Sequence, residues 1–161
     1  MPATYDTIAS TSIASATSTV TFNSLGSYTD LIIQGSWRFD TLGDDIYLRF
    51  NNDSSTNYYY QQSVGEGANA VANDSSSGYT AMRIVNNALS TEDFAFEINI
   101  GNYRTTSHNK PALSRWAGNN SMGHFYGFWN STAAITSIEI RKMSGNFAAG
   151  TDFKVIGVLK A

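Results

Sequence analysis

The chain has 161 residues, enough for one domain with a packed core and short for two. Charged residues make up only 14% of it, against about 25% in an average soluble domain. The net charge is −3, and the ten Lys and Arg residues are scattered, which excludes the basic stripe that a nucleic-acid footprint needs. With no Cys, disulfides and thiol chemistry are excluded too. No apolar run approaches the length of a membrane-spanning helix, and Met1-Pro-Ala-Thr-Tyr-Asp lacks the basic and apolar regions of a signal peptide.

Ser, Thr and Asn supply roughly a third of the residues, a composition that covers strand faces with neutral hydrogen-bonding groups. Low charge weakens repulsion between copies, which points to a protein that works in an assembly.

Period-2 alternation dominates the chain from the start, and helical spacing is almost absent. Tyr5–Ala9 and Thr19–Phe22 are short strand candidates, joined by the Ser/Thr/Ala-rich stretch Ser10–Ser18. Leu31, Ile33, Trp37 and Phe39 share one face of the next strand, with Gly35 in register and Gln34, Ser36 and Arg38 opposite. Ile46, Leu48 and Phe50 alternate with Tyr47 and Arg49. Asn51–Asn57 is a loop, followed by a strand over Tyr58–Gln62. Gly65–Gly78 is predicted as a second, long loop, of the kind that is often functional or packed on a neighbour. Thr80–Val85 comes next. Phe94, Phe96, Ile98 and Ile100 then alternate with Ala95, Glu97 and Asn99. Ala112–Trp116, with Pro111 at its start, and His124–Trp129 precede the last two candidates, Thr136–Arg141 and Phe153–Val158. Gly145, Asn146 and Gly150 lie between these two, and such residues accept the positive φ of a chain reversal. The spacing therefore predicts an antiparallel closing hairpin. Its last strand is apolar on both faces, Phe153 and Val155 against Ile156 and Val158, and so is predicted to lie centrally.

Ten or eleven such strands predict a single all-β domain over residues 1–161, with a short N-terminal segment. Its expected architecture is an antiparallel two-sheet β-sandwich of jelly-roll type, with four to six strands in each sheet.

Few residues in this chain offer catalytic chemistry. His108 lies in a polar loop and His124 opens an aromatic strand; neither has the G-x-S-x-G context of a hydrolase nucleophile or a metal-binding partner at ligand spacing. The carboxylates Asp44, Asp45, Asp53, Glu66, Asp74, Glu92 and Asp93 fall in or beside turns, where Asp is ordinary punctuation. Asp44, Asp45 and Asp53 could offer loop oxygens to calcium, but no D-x-[DN]-x-[DN]-G loop is present. The expectation is a protein without enzymatic activity, metal or cofactor. Trp37 belongs to the core. Tyr58, Tyr59 and Tyr60 must divide between two strand faces, and they, Trp116 and Trp129 either fill the core or form an interface or glycan contact.

Several segments resemble small β-sandwich structural proteins of tailed bacteriophages, notably marine and cyanobacterial ones. They are Y-D-T-I-A-S at Tyr5–Ser10, S-T-V-T-F-N-S-L at Ser18–Leu25, Y-T-D-L-I-I at Tyr28–Ile33 and L-R-F-N-N-D at Leu48–Asp53. N-Y-Y-Y at Asn57–Tyr60, W-N-S-T-A-A-I-T-S-I-E-I from Trp129 and G-N-F-A-A-G-T-D-F-K-V-I-G from Gly145 complete the set. Members of that group tend to end their last strand near Y-G-I, where this chain has Val155-Ile156-Gly157-Val158. The resemblance carries no catalytic residue. It implies a structural component on the exterior of the virion, assembled in the host cytoplasm. Its expected partners are other capsid or tail subunits and copies of itself, a trimer among the candidates. The absence of heptads or a collagen-like shaft favours a capsid decoration or cement protein. The alternative is a receptor- or carbohydrate-binding module at a tail or fibre tip, contacting a host surface glycan.

Overall fold

In the computed structural model, residues 4–40, 44–67, 72–88, 94–118 and 121–159 are described. Among them the chain forms twelve β-strands and no helix. These are β1 (Thr4–Ser12), β2 (Thr19–Asn23), β3 (Asp30–Trp37), β4 (Asp44–Phe50), β5 (Tyr58–Glu66) and β6 (Ala72–Tyr79). They continue as β7 (Met82–Ala88), β8 (Phe94–Ile100), β9 (Lys110–Ala117), β10 (Ser121–Trp129), β11 (Ser137–Lys142) and β12 (Asp152–Leu159). Every ladder is antiparallel.

The strands divide into two sheets. The large one has eight strands in the order β1-β12-β3-β8-β9-β10-β5-β6, and the small one four, β2-β11-β4-β7. Setting aside the hairpins β5–β6 and β9–β10 leaves β1-β12-β3-β8 facing β2-β11-β4-β7, and every connection except β4 to β7 then passes from one sheet to the other. That is jelly-roll topology. Both hairpins are inserted beyond β8 on the large sheet, which is why the sheets hold eight and four strands rather than the four to six expected of each.

Alternation becomes burial strand by strand. Leu31, Ile33 and Trp37 of β3, Ile46, Leu48 and Phe50 of β4, and Phe94, Phe96, Ile98 and Ile100 of β8 all enter the core. Its centre is aromatic: Trp37 stacks on Phe96 with ring centroids 3.8 Å apart, and Phe147 and Phe153 meet edge to face at 5.5 Å. Pro111 sits where the β8–β9 ladder has ended, since the last pair is Ile100↔Ala112, so its missing N–H costs no bond to β8.

Two expectations are corrected here. First, β11 and β12 are not a hairpin. β11 pairs with β2 and β4, whereas β12 pairs with β1 and β3. The G-N-F-A-A-G turn carries the chain from one sheet to the other. On the way Asn146 donates to Asp40, Phe147 bridges to Thr17 and Phe39, and the Thr151 hydroxyl donates to the Arg38 carbonyl. β12 does have partners on both sides, and Val158 on its outer face is buried. Second, the region expected as a loop over Gly65–Gly78 contains the end of β5 and most of β6, which pairs with β5 from Tyr58↔Tyr79 to Val64↔Ala72. Positions 68–71 of it lie outside the described residues.

The small sheet's edge strand β7 lies beneath β9, β10 and β5. Met82 of β7 reaches the backbone of Gly127 on β10, where an added Cβ would come within 2.8 Å of the Met82 sulfur and 2.4 Å of the Tyr59 carbonyl oxygen. The latter contact is with backbone, which cannot move aside cheaply. Gly127→Ala is therefore expected to lower unfolding stability by about 1–3 kcal/mol in denaturant titration, and an unchanged midpoint would contradict this close packing.

Candidate functional site

The singled-out aromatic residues separate by strand alternation. Tyr58 and Tyr60 point inward and Tyr59 outward. Tyr58 is 0% exposed and Trp129 3%, and the two rings stack at 6.4 Å and 17°. Trp116, 4% exposed, packs edge-on against Phe94 and lies over Gly123, whose missing side chain leaves room for the indole. Tyr60 is buried beside Tyr79, with the Arg83 guanidinium 5.1 Å above its ring. Burial within the domain takes Tyr58, Tyr60, Trp116 and Trp129 out of reach of a glycan or partner. Of the five, only Tyr59 reaches the surface.

Tyr58 and Trp129 belong to a polar knot. The loop from Asn51 to Asn57 follows β4, and the Asp53 carboxylate at its centre accepts from the Trp129 indole N–H at 2.7 Å, the Ser55 backbone N–H at 2.9 Å and the Asn57 amide at 3.2 Å. The Tyr58 hydroxyl donates to the Phe50 and Asp53 carbonyls and accepts from the Phe50 N–H. Asn51, with φ +52°, accepts from the Thr136 and Ser137 N–H groups and donates to the Ala134 carbonyl. The Asn130 N–H donates to the Asn57 carbonyl. L-R-F-N-N-D, N-Y-Y-Y and W-N-S-T-A-A-I-T-S, distant in sequence, are thus hydrogen-bonded to one another. Burial alone would raise the Asp53 pKa, but the bonds donated by Ser55, Trp129 and Asn57 outweigh it and hold the carboxyl at about 2.

The other described carboxylates are also engaged. Asp45 pairs with Arg83 at 3.0 Å and accepts from the Tyr47 hydroxyl; partial burial first, and then the Asp45 charge and hydrogen bond, raise the pKa of that half-buried phenol. Glu139 lies between Arg49 and Arg141. Asp152 accepts from the Ser12 hydroxyl. Glu97 on the outer face of β8 accepts from Gln34, Asn99 and Arg115; these bonds overcome partial burial and lower its pKa. Asp53 and Glu97 are thus both held below the ordinary carboxylate range, opposite to what a general acid in a glycosidase needs. Glu92 and Asp93 lie outside the described residues, as do the side chains of Asp44, Glu66 and Asp74. His108 is an exposed loop residue hydrogen-bonded to the Ser107 hydroxyl, and His124 is exposed on β10 between Ser63 and Arg115. Among the described residues, no three of His, Cys, Asp and Glu gather as metal ligands, and no helix is long and apolar enough to cross a membrane.

The open site lies on the outer face of the large sheet, where the inserted hairpins meet. Phe128 and Tyr59 are register partners, and their rings are parallel within 4° at 4.8 Å. Tyr126, two residues before Phe128, is 55% exposed and opposite Gln61. Ser77 and Ser75 of β6 lie opposite Tyr59 and Gln61. These six side chains line a groove of about 560 Å³. Five of the six had not been singled out from the sequence. The available signal was that H-F-Y-G-F-W places aromatic rings on both faces of one strand, so one set must face outward.

No family model matches the chain, and no curated protein does. Among solved structures, it is similar to a xylan β-1,4-xylosidase from Bacillus halodurans C-125 at 8% identity and a TM-score of 0.35, over 83% of this chain and 28% of that one. An alginate lyase from Pseudomonas aeruginosa matches at 8% identity and a TM-score of 0.22, over 83% of this chain and 66% of the other. A structure of infectious bursal disease virus, Gt strain, matches at 15% identity and a TM-score of 0.19, over 98% of this chain and 39% of that one.

Asp53 yields a prediction with a defined pH sense. Its carboxyl titrates lower in the folded chain than the ordinary 3.8, so its stabilising contribution is complete above that value and fades as pH falls through about 2. Asp53→Ala is expected to cost about 1–3 kcal/mol at neutral pH by leaving the Trp129 indole unpaired. Urea titrations across pH should show the gap from wild type narrowing below pH 4. A gap that stays constant to pH 2 would show that the charge is not what matters.

Proposed function

We infer that this chain is a non-enzymatic structural protein on the exterior of a phage particle, most simply a capsid decoration or cement protein. The observation that carries this conclusion is how the segments that resemble phage structural proteins are used. L-R-F-N-N-D, N-Y-Y-Y and the run from Trp129 form one hydrogen-bonded knot, and G-N-F-A-A-G-T forms the crossing between sheets. What the resemblance shares is thus a scaffold. The carboxylates that could have served hydrolysis are, where described, bound to arginines, amides, hydroxyls or an indole.

Assembly has support in the sheet edges. The outermost strands of the large sheet, β1 and β6, contain no Pro, Lys or Arg, the residues that ordinarily discourage edge-to-edge pairing. Tyr5 and Leu159 stand exposed at the β1 edge. A homo-oligomer attached to shell subunits through such edges fits this arrangement, and so does the low charge of the chain.

Cryo-electron microscopy of intact particles tests the proposal. The expected result is density for this sandwich repeated over the outside of the shell. Density confined to the tail would exclude the cement role, and absence of the chain from purified particles would exclude a virion role altogether.

A further inference from the structure

The outer face of the large sheet has two ends of different chemistry. At one, Glu97, Arg115 and Gln34 form a charged, hydrogen-bonded cluster beside His124. At the other lies the groove of Tyr59, Gln61, Ser75, Ser77, Tyr126 and Phe128, with no Asp, Glu, Lys or Arg among the described residues that line it. Its volume is within the range of small-ligand sites.

Three properties of the groove select its occupant. Phe128 covers one face of the Tyr59 ring, while the residue across from Tyr59 on β6 is the small Ser77, which leaves the other face open. The stacked pair is already ordered, so a ligand would pay little entropy to use it. Around the ring stand an amide and three hydroxyls, from Gln61, Ser75, Ser77 and Tyr126. An apolar protein surface would leave those groups unpaired, and an anionic ligand would find no cation among the described residues of the groove. A neutral sugar ring has an apolar C–H face for the tyrosine and hydroxyls along its edge for the amide and hydroxyl groups.

We propose that the groove binds a neutral glycan, with Tyr59 as the stacking platform and Gln61, Ser75, Ser77 and Tyr126 exchanging hydrogen bonds with the sugar hydroxyls. The site requires only the isolated chain, so it stands or falls independently of the virion role.

The test is a printed array of neutral and acidic oligosaccharides probed with the purified protein. The strongest neutral binder is then titrated by calorimetry against wild type, Tyr59→Ala, Tyr59→Trp and Met122→Ala. Met122 is exposed on the same face but outside the groove. The expected outcome is binding of at least one neutral oligosaccharide, weakened about tenfold by Tyr59→Ala, the scale of one aromatic contact. Tyr59→Trp should retain binding, Met122→Ala should match wild type, and the unfolding midpoints should agree. Binding to none of the neutral oligosaccharides, preference for acidic ones, or binding that survives Tyr59→Ala would each overturn the proposal. Self-association lost in Tyr59→Ala would also overturn it, by making this face an interface between copies.

Discussion

The hydrogen bond from the Trp129 indole to the Asp53 carboxylate, 2.7 Å long, joins the end of β10 to the loop that starts β5. Around it, Tyr58 binds the backbone of Phe50 and Asp53, and Asn51 fastens the segment that enters β11. The bond also sets register. It holds Trp129 opposite Tyr58, which places Phe128 opposite Tyr59 on the other face. A slip of one residue would turn the buried rings outward and break the stacked pair. β6 hangs on β5, so both the inserted hairpins and the groove between them depend on a carboxylate that never contacts the groove.

The opposite end of the sandwich is held by a different device with the same logic. The connection from β11 to β12 must pass between sheets, and it is pinned to both sides of the gap. Phe147 fills the core and bridges to Thr17 and Phe39, Asn146 is held by Asp40, and Thr151 exchanges hydrogen bonds with the Arg38 backbone. Both sets of ties use short polar side chains on backbone groups. That explains how a chain with so few charges and no disulfide satisfies the connections of a twelve-stranded fold.

Most strands were legible because a half-buried strand must alternate. β3, β4 and β8 declare their inward faces without ambiguity. β6 was not legible, because an outer strand of polar residues is held by its ladder to β5 rather than by an apolar face. The closing crossover read as a hairpin because Gly and Asn announce a change of direction but not which sheet receives the next strand. Sheet sizes were hidden for a related reason: nothing local distinguishes an inserted hairpin from a pair of framework strands. At the site, the tyrosine triplet announced a residue on each face. Only the fold could show that Tyr59 was the outward one, and that Phe128 and Tyr126 stood beside it.

The most direct measurement of the knot is hydrogen exchange of the Trp129 indole N–H and of the Ser55, Asn130, Thr136 and Ser137 amides, followed by NMR at neutral pH. If these bonds hold the hairpins in register, all five protons should exchange together, at the rate of global unfolding and as slowly as the core amides of β8. Rapid exchange of the indole while β8 stays protected would show that the loop opens locally, and that the register of β5 on β10 is set by something other than Asp53.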